Sequence, residues 1–239
     1  GPAATSKPTF SDVTYVNVGT RLDWEISNDF LRENIQNGTA EQTIFNATTS
    51  TWGRDMEDLA INGDVTTGIA DPNYNFLVIN NGWGVPIAAT ANQLDGSTIN
   101  GGDVGKDHLI SAKKAVPARW QGELSRYEWL MHPTQQYKFE EYFTDRGDEL
   151  AASKIIDPSM PILSGLPVVA TSRMKEDEIW LCMPEHLIMT QGYDMQFYMV
   201  DNDREARQRD VRFYIMHQKV DFVIAFAGEG IVRIHTLNT

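Results

Sequence analysis

The feature that most constrains the fold is a long segment with helical periodicity between residues 27 and 61. Apolar side chains recur along it with helical spacing, at Leu31, Ile35, Phe45, Trp52, Met56 and Leu59. Ser27 suits the N-cap of such a helix, and Gly63 suits the position after its last turn. A helix of this length rises about 50 Å, which exceeds the width of a small domain. The segment therefore predicts a spine, and Gly38 with Thr39 leaves open a kink or a split into two helices.

A strand is predicted immediately before this helix, over residues 10–26. β-Branched and aromatic residues alternate loosely along it, as at Val13, Tyr15 and Val18. Only residues 1–9 precede it, and they are too polar and proline-containing to form a hairpin partner. Because a single strand is unstable, we expect that it pairs with a distant segment or that its partner has been removed.

The remainder of the chain predicts an α+β protein with scattered strands and helices. The predicted helices cover residues 72–79, 106–116 and 134–152. The predicted strands cover residues 127–131, 162–171, 179–182, 195–200, 211–226 and 231–237. Residues 95–105 are polar and glycine-rich, which predicts a loop.

Composition excludes several functions. The 239 residues include 20 Lys and Arg against 33 Asp and Glu, which gives a formal net charge of −13. An acidic chain without a basic run is unsuited to binding the phosphate backbone of nucleic acid. No apolar stretch approaches the roughly 18 residues of a membrane span. The single cysteine, Cys182, rules out an internal disulfide. At roughly 150 residues per domain, the length allows one large domain or two small ones.

Two short motifs invite a ligand-binding interpretation, and both are incomplete. The stretch from Gly101 to Lys106 is similar to a phosphate-binding loop, but Asn100 and Asp107 stand where that loop needs a glycine and a hydroxyl residue. The cluster at residues 201–203 is similar to the start of a calcium loop, but it lacks the glycine and the glutamate that should follow. We expect a flexible surface loop at the first place and a solvated turn at the second.

No other group of residues predicts chemistry. The histidines share no metal-ligand spacing; they are His108, His132, His186, His217 and His235. Cys182 lies in an apolar strand, where a buried, inert thiol is expected. Glu57 and Asp58 leave open a carboxylate-dependent hydrolase, although solvation explains two acids at a helix end. We therefore predict a protein that is not an enzyme, with no catalytic, cofactor-binding or metal-ligating residues and no cofactor. Long elements and one-sided strands favour assembly through the surface.

Several motifs occur in an informative order along the chain. The long helix ends in MEDLAINGD (56–64), a short Asp-Pro segment leads to INNGW (79–83), and the strand YEWLM (127–131) and a helix precede GLPVV (165–169). Their order and spacing over residues 10–237 resemble the major capsid protein of tailed bacteriophages, which has the Hong Kong 97-type fold.

This resemblance implies an arrangement of parts in two interleaved domains. Residues 1–25 would be an N-terminal remnant and the return strand of a partial extended loop, residues 26–105 a peripheral domain with the spine helix, residues 106–202 an axial domain, and residues 203–239 the β-hinge of the peripheral domain. The axial domain would meet its copies around five-fold and six-fold axes.

The resemblance also implies a function. It is that of a structural capsid protein of the virion, which assembles in the host cytoplasm into an icosahedral shell around phage DNA. The implied partners are copies of the chain in pentamers and hexamers, together with portal, scaffold or decoration proteins, without sequence-specific nucleic acid and without a membrane. The alternative is an encapsulin-type shell protein of a bacterial nanocompartment, which shares the fold. Family members carry an N-terminal arm and the outgoing half of the extended loop, whereas only about ten residues precede the return strand here, so we expect that these parts are missing. The opening Gly1-Pro2 without a methionine is typical of a chain left by removal of a tag or by natural processing.

Overall fold

The computed structural model describes residues 14–33, 39–89, 92–145 and 162–239. Its helices are α1 (Asn28–Glu33), α2 (Ala40–Asn62), α3 (Tyr74–Leu77), α4 (Gly84–Ala88), α5 (Lys106–Ala115), α6 (Pro133–Asp145) and α7 (Arg204–Arg209). Its strands are β1 (Val18–Ser27), β2 (Gln93–Asp95), β3 (Glu128–Met131), β4 (Ile162–Leu163), β5 (Leu166–Ala170), β6 (Ile179–Cys182), β7 (Leu187–Val200), β8 (Val211–Ile224) and β9 (Val232–His235). The predicted mixture of helix and sheet is confirmed.

One sheet has three antiparallel strands in the order β1-β8-β7. β1 pairs with β8 along its whole length, from Val18 opposite Val220 to Ser27 opposite Val211. The predicted N-terminal strand therefore has a distant partner, which was one of the two expectations. It begins at Val18 and not at residue 10, because residues 14–17 have no regular structure; residues 10–13 lie outside the described residues.

Helix α2 packs on one face of this sheet. Trp52, Met56 and Leu59 are buried against Met216 and Phe222 of β8, as the helical spacing of these apolar residues predicts. Burying side chains of this size contributes roughly 1.5–3 kcal/mol each to stability. Leu22 and Trp24 of β1 pack against the same cluster, so it helps to hold β1 beside β8.

The predicted spine occupies two helices of the described residues. The Asp29 backbone N–H donates to Ser27 Oγ at 3.2 Å, which confirms Ser27 as the N-cap of α1. α2 begins directly after Thr39 and rises about 35 Å, which is shorter than the predicted single helix. Residues 34–38, between the two helices, lie outside the described residues.

Helix α2 ends at Asn62 because the backbone is crowded there. Gly63 has φ −54° and ψ 131°, so it is not a left-handed cap. A Cβ on Gly63 would lie 2.5 Å from the carbonyl oxygens of Leu59 and Asn80. The predicted end of the helix is confirmed. The glycine is needed there because the end of α2 and residues 80–82 approach each other too closely to leave room for a side chain.

The second sheet has six strands in the order β2-β9-β6-β3-β5-β4 and is mixed. β2 runs parallel to β9 and β3 parallel to β5, whereas the other neighbours are antiparallel. A turn with Ser164 at φ 53° and Gly165 at φ 78° connects β4 to β5, so the single strand predicted over residues 162–171 is a short hairpin.

The central strand β6 of the six-stranded sheet is buried on both faces. Leu109 of α5 and Phe139 of α6 pack against Trp129 on one face. On the opposite face, Trp180 and Cys182 of β6 join a second cluster with Ile61, Ile87, Ile224 and Ile231. This second cluster lies between the two sheets, so it joins them into one body.

The predicted segment boundaries cut across the two sheets. β2 and β9 lie in the six-stranded sheet with β3, β5 and β6, although the segments 26–105 and 203–239 were assigned to a different domain from 106–202. β7, within the segment 106–202, lies in the three-stranded sheet. The chain is therefore interleaved, as expected, while the exact boundaries stay a prediction.

Several element lengths differ from the prediction. α3 spans only four residues, because the Asp-Pro turn before it and the Asn-Asn-Gly turn after it take the rest. α6 ends at Asp145, and the remainder of the predicted helix lies outside the described residues. β7 begins at Leu187, eight residues before the predicted strand, because β8 pairs with it over this length.

Candidate assembly surfaces

Strand β7 carries several exposed apolar side chains, distributed over both of its faces. They are Met189, Met195, Phe197, Tyr198 and Met199, each 38–49% exposed, and we call them the β7 strip. None of the 14 residues of β7 is buried. Single exposed apolar residues are normal on a protein surface, but five of them on one strand favour contact with another molecule.

The β7 strip lies on an open edge of the three-stranded sheet. Within the described residues, β7 pairs with β8 on one side only. An edge strand presents unpaired N–H and C=O groups, and proteins usually protect such edges with charges or short length. β1, the opposite edge, carries Arg21, Asp23 and Glu25, whereas β7 has a single charged residue, Asp194, over 14 residues. The β7 edge is therefore the unprotected one.

Aromatic packing holds the β7 strip in place. Phe197 lies 4.9 Å from the Phe45 ring of α2 in an edge-on contact and 5.8 Å from Tyr214 of β8. Tyr214 stacks in turn on Trp24 of β1 at 5.4 Å. Such pairs contribute about 0.5–1.5 kcal/mol each beyond burial. The strip is therefore presented by a rigid sheet.

Ion pairs fix the tip of the hairpin formed by β7 and β8. Arg209 of α7 donates to Glu25 of β1 at 2.6 Å and lies over the Phe213 ring at 5.6 Å. Asp210 accepts from Asn28 at 2.9 Å and from Arg32 at 3.0 Å. These groups are substantially exposed, so each pair adds little stability, but together they orient the tip against α1 and β1.

The glycine-rich loop does not have the shape of a phosphate site. The Asn238 side chain donates to the Gly101 carbonyl at 3.2 Å and to Asp103 at 2.6 Å, so the C-terminal segment occupies the inside of the loop. Asp103 and Asp107 also place negative charge where a phosphate would bind. The glycine-rich loop contains two short 3₁₀ turns, at Gly96–Thr98 and Asn100–Gly102, and the C-terminal segment stabilises the second of them.

The remaining polar candidates are dispersed. Within the described residues no group of three or more His, Cys, Asp or Glu side chains is arranged to hold a metal ion. His108 is fully buried and bonds the Gly96 carbonyl at 3.2 Å, and burial lowers its pKa. Burial also raises the pKa of the Cys182 thiol to about 12, which agrees with the inert thiol expected there. In the described part of the chain, no helix is long and apolar enough to cross a membrane.

The side chains of Glu57 and Asp58 connect α2 to the loop after β5. Thr171 donates its hydroxyl to Glu57 at 2.6 Å. Asp58 accepts from Asn62 at 2.8 Å and pairs with Arg173 at 3.3 Å. These contacts account for both carboxylates structurally, so the structure gives the hydrolase alternative no support.

Sequence reasoning predicted assembly through the surface but did not identify the β7 strip. The available signal was the run from Met195 to Val200, in which apolar residues occupy consecutive positions and so face both sides of a strand. Whether such a strand is central or at an edge depends on its partners, and these are distant in sequence.

Comparisons with known proteins relate this fold to shell-forming proteins. A chain of the satellite phage P4 procapsid, in a structure that includes the size determination protein Sid, has a TM-score of 0.69 at 14% identity, covering 100% of this chain and 78% of that chain. A chain of Gordonia phage Cozz has a TM-score of 0.62 at 12% identity, covering 100% and 79%. A chain of the SrpI encapsulin complex from Synechococcus elongatus has a TM-score of 0.63 at 12% identity, covering 94% and 75%. At these identities the structures establish the fold alone.

Sequence comparison establishes the family. A search of curated proteins gives no match. Residues 2–228 match the phage capsid family, which is nearly the whole chain. The chain therefore belongs to the phage capsid family, and it is a structural, non-enzymatic protein of a capsid shell.

Proposed function

We propose that copies of this chain assemble, in pentamers and hexamers, into an icosahedral virion shell of the tailed-phage type around DNA. The observation that carries the proposal is the β7 strip, an unprotected apolar sheet edge on a rigid support, in a chain of the phage capsid family. A capsid subunit is covered by its copies, so such an edge is expected on the isolated chain and is protected after assembly.

The two sheets support a Hong Kong 97-type division of the chain. The six-stranded sheet with α5 and α6 would form the axial domain, and the three-stranded sheet with α2 the peripheral domain. β2 and β9 would then belong to the axial domain, because they pair within the six-stranded sheet. β7 would belong to the peripheral domain, because it pairs within the three-stranded sheet. Residues 1–25 would include the return strand of an extended loop, of which β1 is the described part.

The charge of the chain suits a container for DNA. With a net charge of −13 the shell would repel phosphates, so packaged DNA would not adhere tightly to its wall. We propose assembly in the host cytoplasm, with portal, scaffold or decoration proteins as further partners. The size determination protein in the satellite phage P4 procapsid structure is an example of an additional component in a related assembly.

An encapsulin-type nanocompartment is the second candidate, because the SrpI encapsulin shares the fold. The family match favours the phage shell. Electron microscopy of the complete gene product, expressed in bacteria with and without its neighbouring genes, separates the two. We expect closed shells that package DNA when the phage packaging genes are present. Shells loaded with an enzyme cargo would instead identify a nanocompartment, and a complete gene product that stays monomeric at high concentration would contradict both.

The β7 strip gives a direct mutational test. We expect Tyr198→Glu to reduce the assembled fraction at least tenfold, because one charge at a contact centre costs about 1.4 kcal/mol or more. Folding should change little, since Tyr198 is 49% exposed. Tyr137→Glu on α6, where the tyrosine is 65% exposed, is the matched control. Sedimentation measures assembly, and equal assembly of both variants would exclude the β7 strip as a contact.

A further inference from the structure

The chain passes between the two sheets at three places that meet in space. A 3₁₀ turn at Pro184–His186 leads from β6 to β7, and a 3₁₀ turn at Ala225–Gly228 leads from β8 to β9. The His186 and Phe226 rings of these two turns lie 5.4 Å apart. The third passage leads into β2. Asn92, directly before β2, contacts the end of the second turn, because its side chain donates to the Glu229 carbonyl at 2.6 Å. Any rotation of one sheet against the other must involve this junction.

The second turn stores backbone strain at this junction. Phe226, Ala227 and Gly228 have φ values of 51°, 49° and 77°, so three consecutive residues are left-handed. For a residue with a side chain this conformation costs roughly 1 kcal/mol or more. The turn therefore depends on its surroundings to keep this shape.

The side chain of His186 supplies much of this support. It is 5% exposed and forms a cluster with the Trp120 ring, at 4.9 Å, and the Phe226 ring, at 5.4 Å, which also contact each other. Its Cε1 atom is 2.4 Å from the place that a Cβ on Gly230 would occupy, so the imidazole packs directly on the backbone two residues after the second turn. Arg119 covers the outer side of the cluster, with its guanidinium 4.8 Å from the Trp120 ring and 5.5 Å from the Phe226 ring.

This environment favours a neutral imidazole. His186 Nδ1 is buried without a hydrogen-bond partner, and so are the neighbouring Tyr127 hydroxyl and Trp120 Nε1. The charged and titratable groups around the ring are Arg119, Glu123, Arg126, Tyr127, Glu185 and Glu229. The carboxylates among them are paired with the arginines, as Glu123 and Glu185 are with Arg126 and Glu229 is with Arg119. Burial lowers the pKa of His186, because a protonated ring would lose its hydration without gaining an acceptor.

We propose that His186 is an acid-sensitive latch between the two sheets. In its neutral form the ring packs on Gly230 and Phe226 and holds the strained turn. When the ring is protonated it moves toward water, the turn at residues 225–228 relaxes, and the two sheets can change their relative orientation. Since the folded-state pKa lies below that of the unfolded chain, the contribution of the latch to stability is complete above about pH 6.5 and decreases as the pH falls below that value.

Hydrogen exchange of the full chain tests the latch. Protection factors, corrected for the intrinsic pH dependence of exchange, are measured between about pH 7.5 and pH 5. We expect protection of residues 224–231 and 184–187 to fall at least tenfold toward low pH, while that of β3 stays constant. His186→Phe keeps an aromatic ring that cannot be protonated, so its junction should show no change with pH. His217→Gln, on β8 outside the junction, should behave like the wild type.

Three results would overturn the proposal: constant protection at the junction of the wild type, a retained pH effect in His186→Phe, or a loss of protection in β3 together with the junction. If His186→Phe does not fold, NMR of the wild type with labelled histidine decides. The ring of His186 must then titrate over the same pH range in which the junction loses protection. A titration that leaves the protection unchanged contradicts the latch.

Discussion

Replacing Arg233 by Met is expected to destabilise the fold by about 3 kcal/mol, because it leaves a buried carboxylate without its main partner and with only the exposed Lys175 nearby. The Glu178 side chain is only 5% exposed, and Arg233 bonds both of its oxygens, at 2.8 and 2.5 Å. Trp180 Nε1 adds a third bond at 3.1 Å. Glu178 directly precedes β6, and Arg233 lies in β9, the strand paired with β6, so loss of the pair weakens the six-stranded sheet.

The pH dependence identifies the cause of this loss. Burial by itself raises the pKa of Glu178, but the hydrogen bonds and charges of Arg233 and Lys175 outweigh it and leave the pKa below its usual value. The pair therefore stabilises the wild type above the unfolded-state pKa of about 4.3, and this contribution is lost as the pH falls below it. Without Arg233 only Lys175 and Trp180 oppose the burial, so the pKa of Glu178 rises relative to the wild type. The stability difference between Arg233→Met and the wild type should therefore shrink as the pH falls from about 7 toward about 4.

The double variant Glu178→Met with Arg233→Met is the control. It removes both charges and replaces the two side chains by apolar ones of similar volume. We therefore expect it to recover most of the stability that Arg233→Met loses. Urea denaturation at several pH values measures all three proteins. A double variant as unstable as Arg233→Met would show that packing of the arginine, and not the unpaired carboxylate, determines the effect.

Replacing Gly82 by Ala is expected to cost about 3 kcal/mol through steric overlap alone. A Cβ at this position would lie 2.4 Å from the Leu59 carbonyl oxygen and 2.5 Å from that of Ala60, both in the last turn of α2. The neighbouring backbone cannot move away easily, because the Gly82 N–H bonds the Gly63 carbonyl at 2.7 Å and the Trp83 N–H bonds the Ala60 carbonyl at 2.6 Å.

Gly53→Ala is the matched control within the same helix. Nothing lies within 4 Å of a Cβ at Gly53, in the interior of α2, so this substitution should stabilise the protein by roughly 0.5–1 kcal/mol. Thermal or urea denaturation should then show shifts of opposite sign for the two variants. If Gly82→Ala loses less than about 1 kcal/mol, the segment at residues 80–83 moves away from α2 more easily than its hydrogen bonds indicate.

Local patterns in the sequence predicted many elements correctly. α5, β3 and β6 match the predicted segments closely, and α2 ends where Gly63 indicated. Each of these depends on contacts within a few residues, namely helical or strand periodicity and a stop signal, and such contacts can be inferred from neighbouring positions. The order of the short motifs also led to the phage capsid family, which the match over residues 2–228 confirms.

The sequence by itself determined the mixture of helix and sheet, the apolar face of α2 and the family of the chain. Tertiary structure alone decided that β1 pairs with β8, almost 200 residues away. The Thr20 hydroxyl, for example, donates to the Gln218 carbonyl across a separation of 198 positions. It also decided that β9 lies inside the six-stranded sheet, that β7 is an open edge and that His186 lies at the junction of three passages. The physical reason is that strand partners and burial are chosen by packing over the whole chain, and a local pattern contains no information on which distant segment completes it.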